Sequence, residues 1–219
     1  MPAITVYSIP GSPFGRTILA TLEEKCADYR LVPVGPGSFR SPEHLARHPF
    51  GRVPVIEHDG FQLYETQAIQ RYLDRVLPGP ALTPADPKAA ARMDQLLNIG
   101  DWYLFQGVCS VIGFHRVVAP RLLGRAPDEA AIAKAMPQAH IVVAELSRLL
   151  GDQPYLTGEA VTLADIALAS HADFLAATPE WAPLTENAGN LGPWLERMNA
   201  RSSFQSTTWD RVEALAKAA

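Results

Sequence analysis

The chain has 219 residues, of which 47% are hydrophobic and 19% charged, and it contains no apolar stretch of membrane-spanning length. This composition excludes a disordered chain and a transmembrane helix, so we expect a soluble globular protein of one or two domains. The formal net charge is −4 and the basic residues are dispersed, which argues against binding to nucleic acid or to a membrane.

The first third of the sequence alternates between strand and helix patterns. The predicted elements are a strand at 4–7, helices at 14–26 and from 42, strands at 29–34, 53–57 and 61–63, and a helix at 66–77. His58-Asp59-Gly60 predicts the hairpin turn between the last two strands. The order β-α-β-α-β-β-α is that of a complete α/β domain, which we place at 1–78.

Pro78-Gly79-Pro80 predicts a linker at 79–86, and the remaining residues, 87–219, show helical spacing without alternating strands. We therefore expect an all-α second domain. The predicted helices lie near 87–118, 128–150, 162–177, 191–200 and 206–217, with a kink at Pro137, which interrupts helical hydrogen bonding. No secretion signal precedes the first strand, so a cytoplasmic location is expected.

Ser12-Pro13 follows the first strand and opens a helix. Serine at the N-cap and proline at the first helical position are a common helix start. The same arrangement places a hydroxyl beside unpaired backbone N–H groups at the positive end of a helix, where an anion such as a thiolate would be stabilised. Both interpretations of Ser12 remain open from its residue type alone.

Two further motifs have both a structural and a ligand-binding interpretation. Arg52-Val53-Pro54-Val55 places a proline before a strand, and a cis Val53–Pro54 bond would expose the preceding backbone to a ligand. Glu65-Thr66 begins the third helix, where an acidic residue and a hydroxyl stabilise the first turn. The same pair could accept a ligand ammonium at Glu65 and a ligand carboxylate at Thr66.

Taken together, these segments resemble the amino-terminal domain of cytosolic glutathione S-transferases, closest to the serine-type phi and tau classes. The resemblance covers nearly all of residues 1–78. It depends on the order and separation of SPFGRTILATLEEK, SPEHLARHPFGRVPVIEHDG and LYETQAIQRYLD. In the second domain, VTLADI resembles the capping box and hydrophobic staple of the same family, with Thr162 and Asp165 as the capping pair.

The resemblance implies a thioredoxin-like domain that binds glutathione, followed by an α-helical domain that contacts the electrophile. Ser12 would stabilise the glutathione thiolate, and Pro54 would be the family's cis-proline. The residues implied to bind glutathione are Arg40, Arg52, Val53, Pro54, Glu65 and Thr66. Phe39 departs from the polar residue often found there in the phi class. The electrophile pocket is assigned to Phe14, Trp102, Phe105 and His115.

The implied activity is conjugation of glutathione to small hydrophobic electrophiles, with glutathione as co-substrate and no metal or other cofactor. A homodimer is also expected, with an interface near Phe61. Isomerase or peroxidase activity and a non-catalytic glutathione-binding role are alternatives. Serine at position 12 argues against a reductase, which would be expected to have cysteine there. Cys26 and Cys109 form no CxxC pair, which argues against a dithiol centre.

Overall fold

A computed structural model describes residues 4–35 and 37–218 of the chain. The described residues form two compact units. The first contains the residues up to Leu82 together with those from Ala200 onward, and the second is Thr83–Asn199. The described residues from Ala200 onward, which were predicted to belong to the helical domain, therefore pack with the amino-terminal residues instead.

The first unit contains a four-stranded sheet with helices between its strands. Its elements in chain order are β1 Ile4–Ser8, α1 Pro13–Glu24, β2 Tyr29–Pro33, α2 Pro42–Arg47, β3 Val55–His58, β4 Phe61–Tyr64 and α3 Thr66–Val76. The strands lie in the order β2-β1-β3-β4. β1 is parallel to β2 and antiparallel to β3, which is in turn antiparallel to β4. All four predicted strands are present, with small differences at their ends.

The sheet and helices of this unit bury a core of branched aliphatic side chains. Ile4 and Val6 of β1, Ile56 of β3, and Ile18 and Ile69 of α1 and α3 belong to one cluster of buried residues. Because β-branched side chains fit a pleated surface and alternate between its faces, the strand sequences specify which residues are buried.

A buried ion pair attaches the predicted linker to this unit. Lys25 Nζ lies 3.1 Å from Asp74 Oδ1 and donates to the carbonyl oxygen of Pro80 at 2.8 Å. The same Asp74 oxygen accepts a hydrogen bond from the backbone of Leu82 at 2.9 Å. The ammonium therefore holds the chain that leaves α3, which explains why the compact first unit extends to Leu82.

The second unit is helical, as predicted. It contains α4 Pro87–Ile99, a helical segment Gly100–Val118, α5 Ala119–Leu123, α6 Glu129–Leu150, α7 Leu163–Ala176, α8 Trp181–Thr185 and α9 Leu191–Asn199. Beyond it, α10 Ser202–Gln205 and α11 Trp209–Ala218 belong to the first unit. An α/β domain followed by helices is the predicted fold class, which is confirmed.

Three helix predictions need correction. The single helix predicted at 87–118 is broken at Gln106 and Gly107, which leave the helical conformation, with φ +81° at Gly107. Glycine permits this conformation because it has no Cβ. The short helices α5, α8 and α10 were not predicted, and the helix predicted at 206–217 begins only at Trp209. The break at Gln106 and Gly107 lies inside a long periodic pattern, whereas the other differences occur where short helices lack such a pattern.

The predicted capping box is present at α7, and its acidic member organises the second unit. The Asp165 carboxylate is buried and accepts hydrogen bonds from the backbones of Leu156 and Thr162, from the Thr162 hydroxyl and from the Trp194 indole, at 2.8–3.0 Å. One carboxylate therefore joins the start of α7 to α9 and to the preceding loop.

Replacing Asp165 with alanine leaves these donors without their acceptor inside the protein. We expect the free energy of unfolding to fall by about 3 kcal/mol, because buried hydrogen-bonding groups that lose a charged partner are costly. The measurement is urea unfolding followed by circular dichroism. Asp128→Ala is the matched control, because Asp128 caps α6 through the backbone N–H of Ala131 but is exposed. Asp128→Ala is expected to lower the free energy of unfolding by about 1 kcal/mol. Equal losses for the two variants would contradict the organising role of Asp165.

Candidate functional site

The candidate site lies in the first unit, at the edge of the sheet where β1 and β4 end and β3 begins. Tyr7 of β1 and Tyr64 of β4 are both paired with Val55, the first residue of β3. The turn with Ser12 follows β1, Pro54 immediately precedes β3, and Glu65 immediately follows β4. The antiparallel register therefore brings the three predicted motifs to the same edge of the sheet.

Ser12 is the N-cap residue of α1. Its hydroxyl oxygen accepts a hydrogen bond from the backbone N–H of Gly15 at 3.1 Å, and Pro13 is the first helical residue. The Ser12 side chain is only half-buried. Because the hydroxyl acts as an acceptor toward Gly15, its own proton can be donated to another group. The two interpretations of Ser12 are thus compatible, since one hydroxyl can cap the helix and contact an anion.

The Val53–Pro54 peptide bond is cis, as the family resemblance implied. Sheet pairing begins at Val55, so Val53 lies outside the ladder. Pro54 is buried, whereas Val53 is half-buried. Backbone at the end of a sheet can pair with an extended peptide ligand, because its N–H and C=O groups are arranged as in a strand.

Glu65 has an unusual backbone conformation, with φ +72° and ψ +113°. Positive φ is uncommon in residues other than glycine and is concentrated at functional sites. The exposed carboxylate of Glu65 makes no capping hydrogen bond to α3, although Glu65 is its N-cap residue. Thr66, the first residue of α3, is buried. The carboxylate is therefore not used to stabilise the helix that it precedes.

Arg40 and Arg52 lie on chain segments that touch each other. Gly51 has φ +61°, and a Cβ there would lie 2.6 Å from the carbonyl oxygen of Phe39 and 3.4 Å from Cδ of Arg40. Only glycine permits this approach. Both arginine side chains are exposed. Two guanidinium groups on adjoining segments form a surface suited to a ligand carboxylate.

Two histidines beside this segment were not predicted as part of the site. His44 Nε2 lies 2.9 Å from the carbonyl oxygen of Arg52, which holds that segment against α2. The buried ring of His48 lies 4.6 Å from the ring of Tyr64. Burial lowers the pKa of His48, and the carboxylate of Glu65 acts in the opposite direction. Their spacing of four residues across the end of α2 is the sequence signal that could have identified them.

The residues assigned to the electrophile pocket are divided between the two units. Phe14 is half-buried on α1 of the first unit. In the second unit, Trp102 is 62% exposed, and the ring of Phe105 contacts His171 with centroids 5.6 Å apart. His115 lies beyond the break at Gln106 and Gly107, where its Nδ1 lies 3.4 Å from the backbone nitrogen of Asp128. The predicted residues of this helix therefore do not share one continuous helical face.

Among residues 4–35 and 37–218, no group of three or more His, Cys, Asp or Glu side chains is arranged to hold a metal ion. Within the same ranges, no helix is long and apolar enough to span a membrane. The polar groups at the sheet edge are instead a hydroxyl, an exposed carboxylate, two guanidinium groups and strand backbone. Such a set suits an extended ligand that has both an ammonium and carboxylate groups.

Comparisons with known proteins identify the family. Residues 2–75 match the family model of the glutathione S-transferase N-terminal domain, and residues 108–202 match that of the C-terminal domain. Glutathione S-transferase 4 of Zea mays is 33% identical to the chain, over 91% of this chain and 89% of that protein. Glutathione S-transferase hmp2 of Hypomyces subiculosus is 32% identical, over 87% and 92% of the two chains.

Solved structures give the same result. The apo form of glutathione S-transferase III has a TM-score of 0.84 and 32% identity, over 98% of this chain and 97% of its own. Glutathione S-transferase I, solved with lactoylglutathione, has a TM-score of 0.82 and 26% identity over 99% of each chain. The chain belongs to the glutathione S-transferase family, which confirms the resemblance found in its sequence.

Proposed function

We propose that this glutathione transferase conjugates the thiolate of glutathione to small hydrophobic electrophiles, with Ser12 as the catalytic residue that stabilises the thiolate. The observation that carries the proposal is the convergence of Ser12, the cis Val53–Pro54 bond and the Glu65-Thr66 pair at one edge of the sheet. Glutathione is the co-substrate, and the chemistry needs no other cofactor.

The thiolate is the nucleophile, so the enzyme must increase its population. A free thiol has a pKa near 8.5, and lowering it by about two units requires about 2.7 kcal/mol of preferential stabilisation of the thiolate. A hydrogen bond from the Ser12 hydroxyl and the positive end of α1 together are of the right magnitude. The bound thiolate then needs only to be aligned with an electrophilic carbon in a site shielded from water.

The charges of glutathione complement those of the site. Its γ-glutamyl ammonium would pair with the Glu65 carboxylate, and the adjacent carboxylate would accept hydrogen bonds from Thr66 and the first turn of α3. The cysteinyl backbone would pair with Val53, and the glycyl carboxylate would bind Arg40 and Arg52. Aromatic residues of the second unit, Trp102 and Phe105 among them, would provide the apolar surface that contacts the electrophile.

Removing the Ser12 hydroxyl tests the catalytic assignment. Ser12→Ala is expected to raise the pKa of bound glutathione by about one unit or more, because the hydroxyl favours the ionised form. At pH values below that pKa, the thiolate population and the conjugation rate should fall about tenfold. The pKa is measured by the ultraviolet absorbance of the bound thiolate. An unchanged pKa would restrict Ser12 to helix capping.

A panel of second substrates tests the reaction type. It includes an aryl halide, an isothiocyanate, a hydroperoxide and a β-aryl ether, the last because one structural neighbour, with a TM-score of 0.81, is the β-etherase LigF of Sphingobium. Conjugation of the aryl halide or the isothiocyanate is expected. Turnover of the hydroperoxide alone would instead assign peroxidase activity, which uses the same thiolate.

Glu65 should determine binding of the γ-glutamyl end. Glu65→Gln is expected to weaken binding of S-methylglutathione about tenfold, equivalent to about 1.4 kcal/mol, because a charge-assisted hydrogen bond is lost. Binding of S-methylcysteinylglycine, which lacks the γ-glutamyl group, should change less than twofold. Isothermal titration calorimetry measures both. Asp59→Asn, an exposed carboxylate in the hairpin, is the matched control. Equal losses for both ligands would exclude this role of Glu65.

Membership in the family supports a cytoplasmic location. Membership in the family and the exposed apolar side chains of the first unit also support a homodimer. Phe61 is 49% exposed, with its ring centroid 5.2 Å from that of Tyr72, and Phe50 is 62% exposed beside Tyr64. Exposed aromatic side chains are typical of surfaces that bury apolar area on association. In a two-fold arrangement, the same surface would be used by both subunits.

Sedimentation at micromolar concentration should give about twice the chain mass of 23.8 kDa. Phe61→Glu is expected to shift the protein toward the monomer, because an interface that buries the new carboxylate must desolvate it. Leu215→Glu is the control, since Leu215 is a similarly exposed apolar residue on α11. A fully active wild-type monomer would contradict the dimer.

A further inference from the structure

The residues from Ala200 onward follow α1 from its last turn toward its first. At the last turn, Arg201 Nε and Nη2 donate hydrogen bonds to the carboxylate of Glu24 at 2.6 and 2.8 Å, and the Ser203 hydroxyl donates at 2.5 Å. Although burial favours the protonated carboxyl, Arg201 and Ser203 hold the pKa of Glu24 below its usual value. The C-terminal segment is therefore attached to the end of α1 by a charged anchor.

The segment makes a second contact one turn inside the start of α1. Arg16 Nη2 donates to the carbonyl oxygen of Phe204 at 3.2 Å, and the Arg16 guanidinium lies 4.8 Å from the centre of the Phe204 ring. Phe204 is fully buried. Further along, Val212 of α11 belongs to the same buried cluster as Ile4 and Ile18. These contacts hold α11 against the core of the first unit.

α11 begins with Trp209, which packs against the turn that holds Ser12. A Cβ built on Gly11 would lie 2.5 Å from each of three atoms of the six-membered ring of Trp209, closer than real Cβ atoms approach. The ring therefore occupies the space in which a side chain at position 11 would lie. Gly11 also has φ +77°, so both the backbone conformation and the ring exclude a larger residue.

We propose that Trp209 is a positioning residue for Ser12, because its ring limits the motion of the Gly11–Ser12 turn and so keeps the hydroxyl directed at the bound thiolate. The inference rests on the proposed role of Ser12 and adds to it a residue far away in the sequence. The proposed effect of Trp209 comes from its ring against the turn, and Trp209 exchanges no proton with the substrate.

The backbone freedom of glycine explains why the turn before Ser12 needs a contact that limits its motion. Glycine has access to more backbone conformations than any other residue type, and Gly11 lies in the turn Ile9–Ser12, in which Ser12 N donates a long hydrogen bond to Ile9 O at 3.4 Å. A large rigid ring against Gly11 removes many of those alternatives. A hydrogen bond to the thiolate weakens steeply when its angle is lost, so restricted motion of the turn favours the ionised ligand.

The test compares variants that separate positioning from stability. Trp209→Leu removes the ring, Trp209→Phe retains an aromatic ring, and Val212→Ala weakens the packing of the same helix in the buried cluster. Trp209→Met replaces Trp209→Leu if the leucine variant does not fold. Each is examined for the pKa of bound glutathione, kcat, KM for glutathione and stability to urea.

Trp209→Leu is expected to raise the pKa of bound glutathione by about half a unit and to lower kcat below that pKa about threefold, because the thiolate fraction falls by that factor. The KM for glutathione should change less than twofold. Trp209→Phe should restore most of kcat, and Val212→Ala should lower stability without moving the thiol pKa. In a Ser12→Ala background, Trp209→Leu should have no further effect on kcat.

An unchanged thiol pKa in Trp209→Leu, while Ser12→Ala still raises it, would overturn the positioning role and leave the proposed function intact. An equal shift in Val212→Ala, or an additive loss in the Ser12→Ala background, would also overturn it, since either result would make the effect one of general stability. If Ser12→Ala leaves the thiol pKa unchanged, the role of Ser12 fails and the inference about Trp209 fails with it.

Discussion

The pairing of β3 between β1 and β4 is the constraint on which the candidate site depends. Val55 faces Tyr7 on one side and Tyr64 on the other, so the turn after β1, the proline before β3 and the glutamate after β4 must meet at one edge of the sheet. A shift of one residue in this register would turn every buried side chain of β3 to the other face. Burial of these side chains in the core therefore fixes the register, and the register fixes the positions of the site residues.

Close approach of backbone segments completes the geometry. Gly51 allows the segment with Arg40 to touch the segment that leads to Arg52, and Gly11 allows the Trp209 ring to lie against the turn before Ser12. In both places, a side chain on the glycine would collide with a neighbouring segment. Among the residues proposed to bind the ligand, Ser12 and Val53 are half-buried and Arg40, Arg52 and Glu65 are exposed, but buried packing determines their positions.

The two units are stabilised by different means. In the first, aliphatic residues of the sheet and helices form the core, and Lys25 and Glu24 anchor the linker and the C-terminal segment through ionic hydrogen bonds. In the second, the Asp165 carboxylate joins α7 to α9 and to the loop before it. Buried charged groups of this kind are stable only when several donors or acceptors surround them, which makes each of these junctions specific.

Local patterns in the sequence were sufficient for the strands, most of the long helices, the start of α1 at Ser12-Pro13 and the capping box at α7, because these depend on periodicity and on neighbouring residues. The three motifs proposed to bind the ligand were open to two interpretations from local residue types, and it is the resemblance of their order and separation to the glutathione S-transferase family that implies a binding role. The packing of α11 with the first unit, the break at Gln106 and Gly107, and the contacts of His48 with Tyr64 and of Trp209 with Gly11 were decided by tertiary structure. These features join residues that are distant in the chain, or they depend on which of several apolar surfaces becomes buried in the folded protein. A local sequence pattern does not determine which surface is buried.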